Sequence, residues 1–545
     1  MKVFLLHRDR DFEPKPELHD SMFGAMLSSN LFAVSNVRRD LKQQQSAPSR
    51  RATGDQELVK DLELETLWQA MAAGDEFLFE TARRVVLSSL CEPNSIVYRQ
   101  QVLEDCLAHP DTVGELYRLA IQALAAERHV GGMWSGSDPT YILHRSVRLL
   151  VRYVDILRRL RQIADEQSDG FRSEGFTRFF AMLREELSGD YLQAVEQHLG
   201  RLKFKRGVVE SAELGKGDKG RRYIVHGPPP DLSWRERLAL VGIAKPEEYS
   251  FELHPLDQAG AKHLREIQGR GINHVADAVA QSADHVQSFF TMLRLELAFY
   301  LGCLNLHARL HQKGEPTCFP EPIVAGPLAL TAHGIYDVCL ALHLEPRAVG
   351  NDIDGDGKSL IMFTGANQGG KSTLLRSVGL AQLMMQSGMF VGAQSLRASI
   401  SAGVFTHYRR EEDETMESGK LDEELHRMSE IADQITPGAV LLCNESFAST
   451  NEREGSEIAR QVVRAMLDKQ IRVLFVTHMY DLAHSFCAQH LDSTLFLRAE
   501  REPDGRRTFK LSEGEPLPTS YGEDSYRRIF GHDEAVQATA ADIRE

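Results

Sequence analysis

The sequence lacks the features of a membrane-spanning or secreted chain. No uninterrupted apolar run reaches the roughly 18 residues that indicate a transmembrane helix. The opening Met1–His7 has only four consecutive apolar residues before charges resume, which is too short for the apolar core of a signal peptide. We therefore expect no membrane partner and a cytoplasmic location.

Cysteine is scarce and scattered. The seven cysteines include no CxxC pair, so the sequence indicates neither a structural zinc site nor a disulfide framework. An odd number of thiols, mostly flanked by apolar residues, suits a reducing compartment. No segment repeats at a fixed period of about 20–50 residues, which argues against a solenoid.

Positive charge is not in excess either. Lys and Arg number 63 against 78 Asp and Glu, which gives a net charge of −15. A chain that is acidic overall is not a general binder of polyanions, so any nucleic-acid contact must be local. The length of 545 residues favours three or four domains.

The most informative stretch is Ser359–Thr373. Its apolar start, Leu360–Phe363, predicts a buried strand, and Leu374–Met385 predicts a helix after it. Between them lies a match to the phosphate-loop pattern GxxxxGK(S/T), in the order strand, loop, helix that this motif requires. The candidate nucleotide-binding residues of this loop are Gly365, Ala366, Asn367, Gln368, Gly369, Gly370, Lys371, Ser372 and Thr373.

The physical chemistry of this loop predicts ATP and Mg²⁺ as ligands. Glycines let consecutive backbone N–H groups converge on phosphate oxygens, and the helix N-terminus adds partial positive charge. We expect Lys371 to pair with the β- and γ-phosphates and Ser372 to hold Mg²⁺.

Two further apolar runs end in candidate catalytic residues. Ala439–Cys443 is followed by Asn444 and Glu445, where phosphate-loop ATPases carry a metal-binding residue and then a residue that orients the attacking water. Asn444 is a neutral amide at the metal position, which predicts a weaker Mg²⁺ site and slower turnover. Arg472–Thr477 ends at His478, which is placed to sense the γ-phosphate.

The chain ahead of this region is predicted to be mostly helical. We divide the whole chain into a 1–60 extension or linker, a 61–343 helical core domain and a 344–545 ATPase domain. Within the core, 203–230 predicts a hairpin with a basic tip. The expected fold class is therefore multidomain: a mostly α-helical core domain followed by an α/β P-loop ATPase domain.

Two basic features of the core are candidate DNA contacts. The first is an arginine-rich helix, and the second is the hairpin; either could follow a phosphate backbone or simply be a solvated surface. The candidate DNA-binding residues are Arg145, Arg148, Arg152, Lys216, Lys219, Arg221 and Arg222.

Four ordered motifs resemble those of the MutS family of DNA mismatch-repair ATPases. Thr364–Thr373 is similar to the family's TGPNMGGKST, and Asn444–Gly455 aligns without gaps to its acidic pair and following loop. Val476–Leu482 resembles its ATHYxEL, and Ser520–Gly522 its SYG. The resemblance implies an ABC-type ATPase that acts on double-stranded or branched DNA, and it raises a MutL-like protein as a further partner.

The resemblance also implies that 61–343 is a lever domain and that 344–545 includes a C-terminal dimerisation segment. It further implies a homodimer in which each ATPase completes its partner's site through a signature loop. The corresponding residues are Ser418 and Gly419, although Leu421–Glu423 replaces the family's Ser-Thr-Phe and an acidic solvated loop is the alternative. Arg347 stands where the family usually places an adenine-stacking aromatic, and a guanidinium can also stack on a base.

The family's mismatch-reading domain, with its Phe-x-Glu wedge, is not visible, and the hairpin resembles a reduced DNA clamp. We therefore expect a short MutS-type DNA clamp that closes and opens with ATP binding and hydrolysis, in mismatch repair or a related process. Two alternatives stay open: a nucleotide-gated structural clamp with little turnover, suggested by Asn444, and an ATPase whose partner is not DNA.

Overall fold

The computed structural model describes residues 1–10, 50–130, 138–204, 208–216, 220–226, 252, 254, 257–324, 328–345, 347–410, 419–502 and 507–518. Several sequence-predicted features lie outside these residues: most of the 1–60 extension, Lys219, Ser418 and the Ser520–Gly522 motif.

Helices dominate the first half of the described chain, and strands and helices alternate in the second. The helices are Arg50–Asp61 (α1), Leu64–Ala72 (α2), Glu76–Leu87 (α3), Pro93–Ala108 (α4), Pro110–Val130 (α5), Pro139–Gln167 (α6), Glu174–Glu186 (α7), Gly189–Leu202 (α8), Gln258–Gln312 (α9), Val338–His343 (α10), Lys371–Gln386 (α11), Lys420–Gln434 (α12), Glu452–Asp468 (α13) and Tyr480–Cys487 (α14).

The strands of the described residues form three sheets. They are Val209–Leu214 (β1), Gly220–His226 (β2), Glu321–Ile323 (β3), Leu330–Ile335 (β4), Asn351–Asp354 (β5), Leu360–Gly365 (β6), Ser395–Ser399 (β7), Val404–Tyr408 (β8), Val440–Asn444 (β9), Arg472–Val476 (β10), Thr494–Arg501 (β11) and Arg507–Glu513 (β12). Their orders are β1-β2, β12-β11-β6-β10-β9-β8 and β3-β7-β4-β5. The protein is thus rich in helices and carries mixed α/β sheets.

The chain divides into two compact units. One comprises Met1–Leu5 and His109–Leu297, and the other Leu6–Ala108 and Ala298–Glu545. This differs from the predicted division at 343/344, for a physical reason. Strands β3 and β4 precede that boundary, yet both pair with β7 of the nucleotide-binding region.

The first unit is built from α5–α8, the β1–β2 hairpin and the first part of α9. Its centre contains an aromatic cluster in which Phe176, Phe179 and Phe180 of α7 are buried, and Phe179 stacks on Phe289 of α9. The antiparallel pairing of β1 with β2 confirms the hairpin predicted within 203–230.

In the second unit, α11 is fixed on one side by a partly buried ion network. Arg376 of α11 contacts the carboxylates of Asp337 and Glu63. Gln386, at the other end of α11, donates to the carbonyl of Leu90 at 3.0 Å. Charges and amides buried in this way need such partners, so these contacts specify how the segment before His109 packs on the phosphate-loop helix.

A buried arginine joins the two sheets of the second unit. Arg472, at the start of β10, donates to the carbonyls of Lys358 at 3.0 Å and Ala329 at 2.9 Å. Burial lowers its pKa to about 10. The neighbouring core consists of apolar residues of β9 and β10 packed under α12–α14.

One described helix, α9, is long and apolar enough to meet a composition test for a membrane span. However, 67% of its most apolar window is buried inside the protein. Its C-terminal part packs on α2, where Asn305 donates to the carbonyl of Met71 at 2.8 Å. Such burial is the pattern of a core helix.

Candidate nucleotide-binding site

The register of the six-stranded sheet brings four chain segments to one edge. Val476 at the end of β10 lies opposite both Phe363 of β6 and Asn444 of β9. Asn444 in turn lies opposite Tyr408 of β8. Because these strands are parallel, the residues that follow them emerge side by side. These are the phosphate loop, His478, Glu445 and Arg409.

The loop after β6 has the backbone that its glycines allow. Gly370 has φ +88°, which disfavours a side chain, and a Cβ on Gly369 would lie 2.7 Å from the Ala499 side chain. The helix α11 begins directly at Lys371. The predicted order of strand, glycine loop and helix is therefore confirmed.

Lys371 is held over this loop. The residue is only 5% exposed, and its ammonium group donates to the carbonyls of Gly365 at 2.8 Å and Ala366 at 2.9 Å. Burial lowers the pKa of Lys371, while the Glu445 carboxylate opposes that effect. A positive charge that is largely removed from water acts strongly on a phosphate placed beside it.

Ser372 and Asn444 form the candidate metal position. The Ser372 hydroxyl donates to the Asn444 amide oxygen at 2.8 Å. Both groups present oxygen, the ligand atom that Mg²⁺ prefers, so the residues fit this ion. Among the described residues no group of three or more His, Cys, Asp or Glu is arranged to hold a metal.

Glu445 sits in a strained turn directly after β9. Its φ is +54°, in the left-handed region, and its amide donates to the Val476 carbonyl at 2.9 Å. His478 lowers the pKa of the Glu445 carboxyl, and the charges of Lys371 and Arg409 lower it further against the effect of burial. Glu445 is therefore a carboxylate at neutral pH.

His478 faces the same carboxylate. Its Nδ1 lies 3.7 Å from Glu445 Oε1, and its side chain is 38% exposed. The turn that carries it is anchored by Glu452 at the start of α13, whose carboxylate accepts from the amide of Tyr480 at 2.7 Å. The His478 ring is thus carried on an anchored turn and stays partly exposed.

Arg409 is a site residue that the sequence reasoning missed. It follows β8, its amide donates to the Asn444 carbonyl at 2.9 Å, and its guanidinium lies 3.9 Å from Glu445 Oε2. The only sequence signal is the short run Val404–Tyr408, and a polar His407 inside the run hides the strand.

These residues surround one cavity of about 460 Å³. Its lining consists of Asn367, Gln368, Gly369, Gly370, Lys371, Ser372, Thr373, Arg409, Glu445 and His478. The structure therefore brings seven of the nine predicted loop residues, Asn367 to Thr373, together with both predicted catalytic residues. Gly365 and Ala366 do not line this cavity, and their carbonyls accept from Lys371. Asn444 lies at the adjoining cavity of about 300 Å³, which shares Ser372, Thr373 and Arg409.

Two predicted site residues lie elsewhere. The side chain of Arg347 is 62% exposed, and its nearest charged partner is Glu315 at 3.9 Å. Gly419 is the exposed residue before α12, at a helix start as predicted. Within the described part of the chain, neither lines the two cavities. Their proposed roles in base stacking and in the partner's site stay predictions.

The candidate DNA-binding arginines are partly engaged within the protein. Arg145 lies 3.2 Å from Glu127, and Arg221 and Arg222 both pair with Glu213. Lys216 is exposed. Arg148 and Arg152, one helical turn apart on α6, are also exposed, and no ion pair of theirs occurs among the described residues.

Two family models match the sequence. The model of the MutS2 N-terminal domain matches residues 92–313, and that of MutS domain V matches residues 361–541, where the phosphate loop, Glu445 and His478 lie. The chain belongs to the MutS family. The resemblance inferred from its motifs is thereby confirmed.

Named relatives of this MutS-family chain cover it only in part. MutS protein homolog 4 of Mus musculus is 25% identical over 295 residues, 50% of this chain and 29% of that protein. Endonuclease MutS2 of Thermus thermophilus is 30% identical over 149 residues, 27% and 20% of the two chains. DNA mismatch repair protein MutS of Chloroflexus aurantiacus is 34% identical over 144 residues, 26% and 15%. The chain spans less than a third of the length of the curated relatives it matches.

Proposed function

We propose that this chain is a homodimeric, DNA-binding ATPase of MutS type, which closes a clamp on DNA when it binds ATP and releases it after hydrolysis. The observation that carries the proposal is the meeting of Lys371, Glu445 and His478 around one cavity at the end of the phosphate loop. Membership of the MutS family supports the DNA partner and the ABC-type pairing of two ATPase domains. A MutL-like protein is then the downstream partner, and the cytoplasm the compartment.

Each residue has a task in this reaction. The loop amides and Lys371 bind and orient the phosphates. Ser372 and Asn444 would hold Mg²⁺, which would supply charge stabilisation to the transferred phosphoryl group. The ionised Glu445 orients the attacking water, and His478 contacts the terminal phosphate while it keeps Glu445 charged.

Replacing Glu445 with Gln tests the catalytic assignment. The amide keeps the shape but cannot accept a proton, so ATP binding should persist while steady-state hydrolysis falls at least about a hundredfold. Hydrolysis at the wild-type rate by the purified Glu445→Gln protein would remove Glu445 from the mechanism. Glu457→Gln is the matched control, because Glu457 lies on the exposed face of α13 beside Arg460.

A nucleotide-gated clamp with little turnover is the second candidate function. The observation that favours it is the neutral Asn444 as the acceptor of the Ser372 hydroxyl. ATP binding with negligible hydrolysis, both with and without DNA, would favour this candidate over the ATPase.

The DNA partner is tested with duplex, mismatched and branched DNA at two salt concentrations, with and without ATP. Binding through phosphates weakens as salt rises because counterions are released. Affinity for every DNA that stays below the non-specific range, or that ignores salt, would instead favour a partner other than DNA. With a net charge of −15, the chain does not attract DNA by its overall charge, so salt-dependent binding would indicate local basic contacts.

A further inference from the structure

We propose that Arg409 binds the terminal phosphate of the nucleotide within its own chain, and that the buried Asp61–Arg410 ion pair positions it. This inference deepens the proposed function and rests on it, because the ligand is ATP in the phosphate-loop cavity. It adds a cation that the phosphate-loop and strand-end motifs do not predict.

Arg409 is placed as a phosphate ligand would be. Arg409 lines the same cavity as Lys371 and His478, and 40% of its side chain is exposed to solvent. Its only described ion partner is Glu445, at the long distance of 3.9 Å. A planar guanidinium matches phosphate oxygens in a bidentate arrangement, and such charge-assisted contacts are stronger than a distant pair with a carboxylate.

The peptide group that precedes the Cα of Arg409 is held at both of its polar atoms. The preceding carbonyl, that of Tyr408, accepts from Arg427 at 3.0 Å, and Arg427 is itself buried. The amide of Arg409 donates to Asn444 at 2.9 Å. The side chain therefore starts from a defined point beside the catalytic strand β9, which reduces the entropy lost when it binds a ligand.

The residue after Arg409 completes this support. Arg410 contacts Asp61 of α1 at 2.9 Å, and the Asp61 side chain is only 1% exposed. Glu57, one turn earlier on α1, lies 3.7 Å from Arg410 and 3.5 Å from Arg427. Removing one member of a buried pair leaves an uncompensated charge, so α1 strongly constrains the end of β8.

The electrostatics of the site favour a cation at the position of Arg409. Asn444 provides no negative charge, so it would hold a metal ion less firmly than a carboxylate would. An arginine donated by the same chain can stabilise charge on the transferred phosphoryl group, as arginine fingers do in other phosphate-loop enzymes. Arg409 would then supply part of the charge stabilisation that a more firmly held ion otherwise gives.

The alternative is that Arg409 only neutralises Glu445. The two explanations differ once Glu445 is uncharged, so we propose the test in a Glu445→Gln parent. The affinities of ATP and ADP are measured by equilibrium binding of fluorescent nucleotides, which needs no hydrolysis. Arg409→Ala should weaken the affinity for ATP by about tenfold to a hundredfold, because only ATP has the terminal phosphate. The affinity for ADP should change by less than about twofold.

Two further variants sharpen the test. Arg409→Lys should recover part of the ATP preference, because it keeps the charge but not the bidentate geometry. Asp61→Asn should lower the preference for ATP less than Arg409→Ala does, with folding checked by thermal unfolding. Arg464→Ala, an exposed arginine on α13, is the matched control.

The outcomes separate the inference from the proposed function. A ratio of ATP to ADP affinity in Arg409→Ala equal to that of the Arg464→Ala control would overturn the inference while the function stands. If the Glu445→Gln parent and the wild-type protein bind neither nucleotide, the proposed function fails and the inference with it.

Discussion

The hydroxyl of Ser372 donates to the amide oxygen of Asn444 across a distance of 2.8 Å. This contact joins the first turn of α11 to the end of β9, and it puts a neutral oxygen where phosphate-loop ATPases usually have a carboxylate. The candidate metal position therefore lacks the negative charge that a carboxylate would bring. That difference bears directly on the protein's dependence on Mg²⁺.

The change Asn444→Asp should tighten Mg²⁺ binding. It adds a hard, charged oxygen at the same distance from Ser372, so the Mg²⁺ concentration that gives half-maximal hydrolysis should fall about threefold to tenfold. The measurement is steady-state hydrolysis over a Mg²⁺ titration. Asn451→Asp is the control, because Asn451 caps α13 and an aspartate serves there equally well. The same half-maximal concentration in Asn444→Asp and wild type would contradict a metal role for this position.

The change Lys371→Ala should abolish nucleotide binding. It removes a buried charge that contacts the loop carbonyls and faces the cavity, so we expect ATP affinity to fall by more than about a hundredfold. Equilibrium binding of a fluorescent ATP analogue measures it. Lys358→Ala is the matched control, because Lys358 precedes β6 and its ammonium group donates to the Asp492 carbonyl instead. Equal affinities in the two variants would refute the phosphate contact.

The sequence predicted this site well wherever a motif fixes the backbone locally. The phosphate loop needs glycines at set positions, and the runs before Glu445 and His478 are apolar enough to indicate buried strands. Arg409 was not predicted as a site residue because the preceding strand β8 is only five residues long. The buried His407 and Tyr408 also interrupt its apolar pattern. Short strands whose polar residues find partners in the fold carry no periodic signal.

The long-range pairings could not be predicted in the same way. Nothing local in Glu321–Ile323 indicates that it pairs with β7, more than seventy residues later. Likewise, Asp61 has the sequence context of an ordinary helical acid, and only the fold brings it to Arg410. Such contacts depend on packing between distant segments, so the division at 343/344, drawn from composition, separated strands that share a sheet.

The buried His407 should make stability depend on pH. Its Nε2 donates to the Glu424 carbonyl at 2.9 Å, and its Nδ1 lies 2.7 Å from the Ser446 hydroxyl, next to Glu445. Burial, with the nearby Arg427 and Arg410 charges, lowers its pKa to about 3, against about 6.5 for an exposed histidine. As the pH falls, His407 is therefore protonated in the unfolded chain before it is protonated in the folded protein. The contribution of its neutral, buried ring to the free energy of unfolding is present above about pH 6.5 and is lost as the pH falls towards 3.

The variant His407→Gln should flatten that dependence. Between pH 7 and pH 5 the wild type should lose about 2 kcal/mol more unfolding free energy than the variant. Urea unfolding of both proteins at a series of pH values measures the difference, and His426→Gln, on the exposed face of α12, serves as control. Parallel pH profiles for wild type and His407→Gln would show that the ring is not held neutral.

The exposed pair Arg148 and Arg152 is the part of α6 best placed to contact DNA. Arg145 and Arg159 pair with Glu127 and Glu115 and so have partners already. If the pair contacts phosphates, the double change to Glu should weaken duplex binding and lower the slope of log K against log salt by about two, at about 0.9 per phosphate. Arg118 and Arg201 are exposed on other helices of the same unit, so their double change to Glu matches the charge difference. Equal slopes for the two double variants would show that Arg148 and Arg152 face solvent and do not contact DNA. The β1–β2 hairpin, with Lys216 near its tip, would then be the remaining candidate for DNA contact.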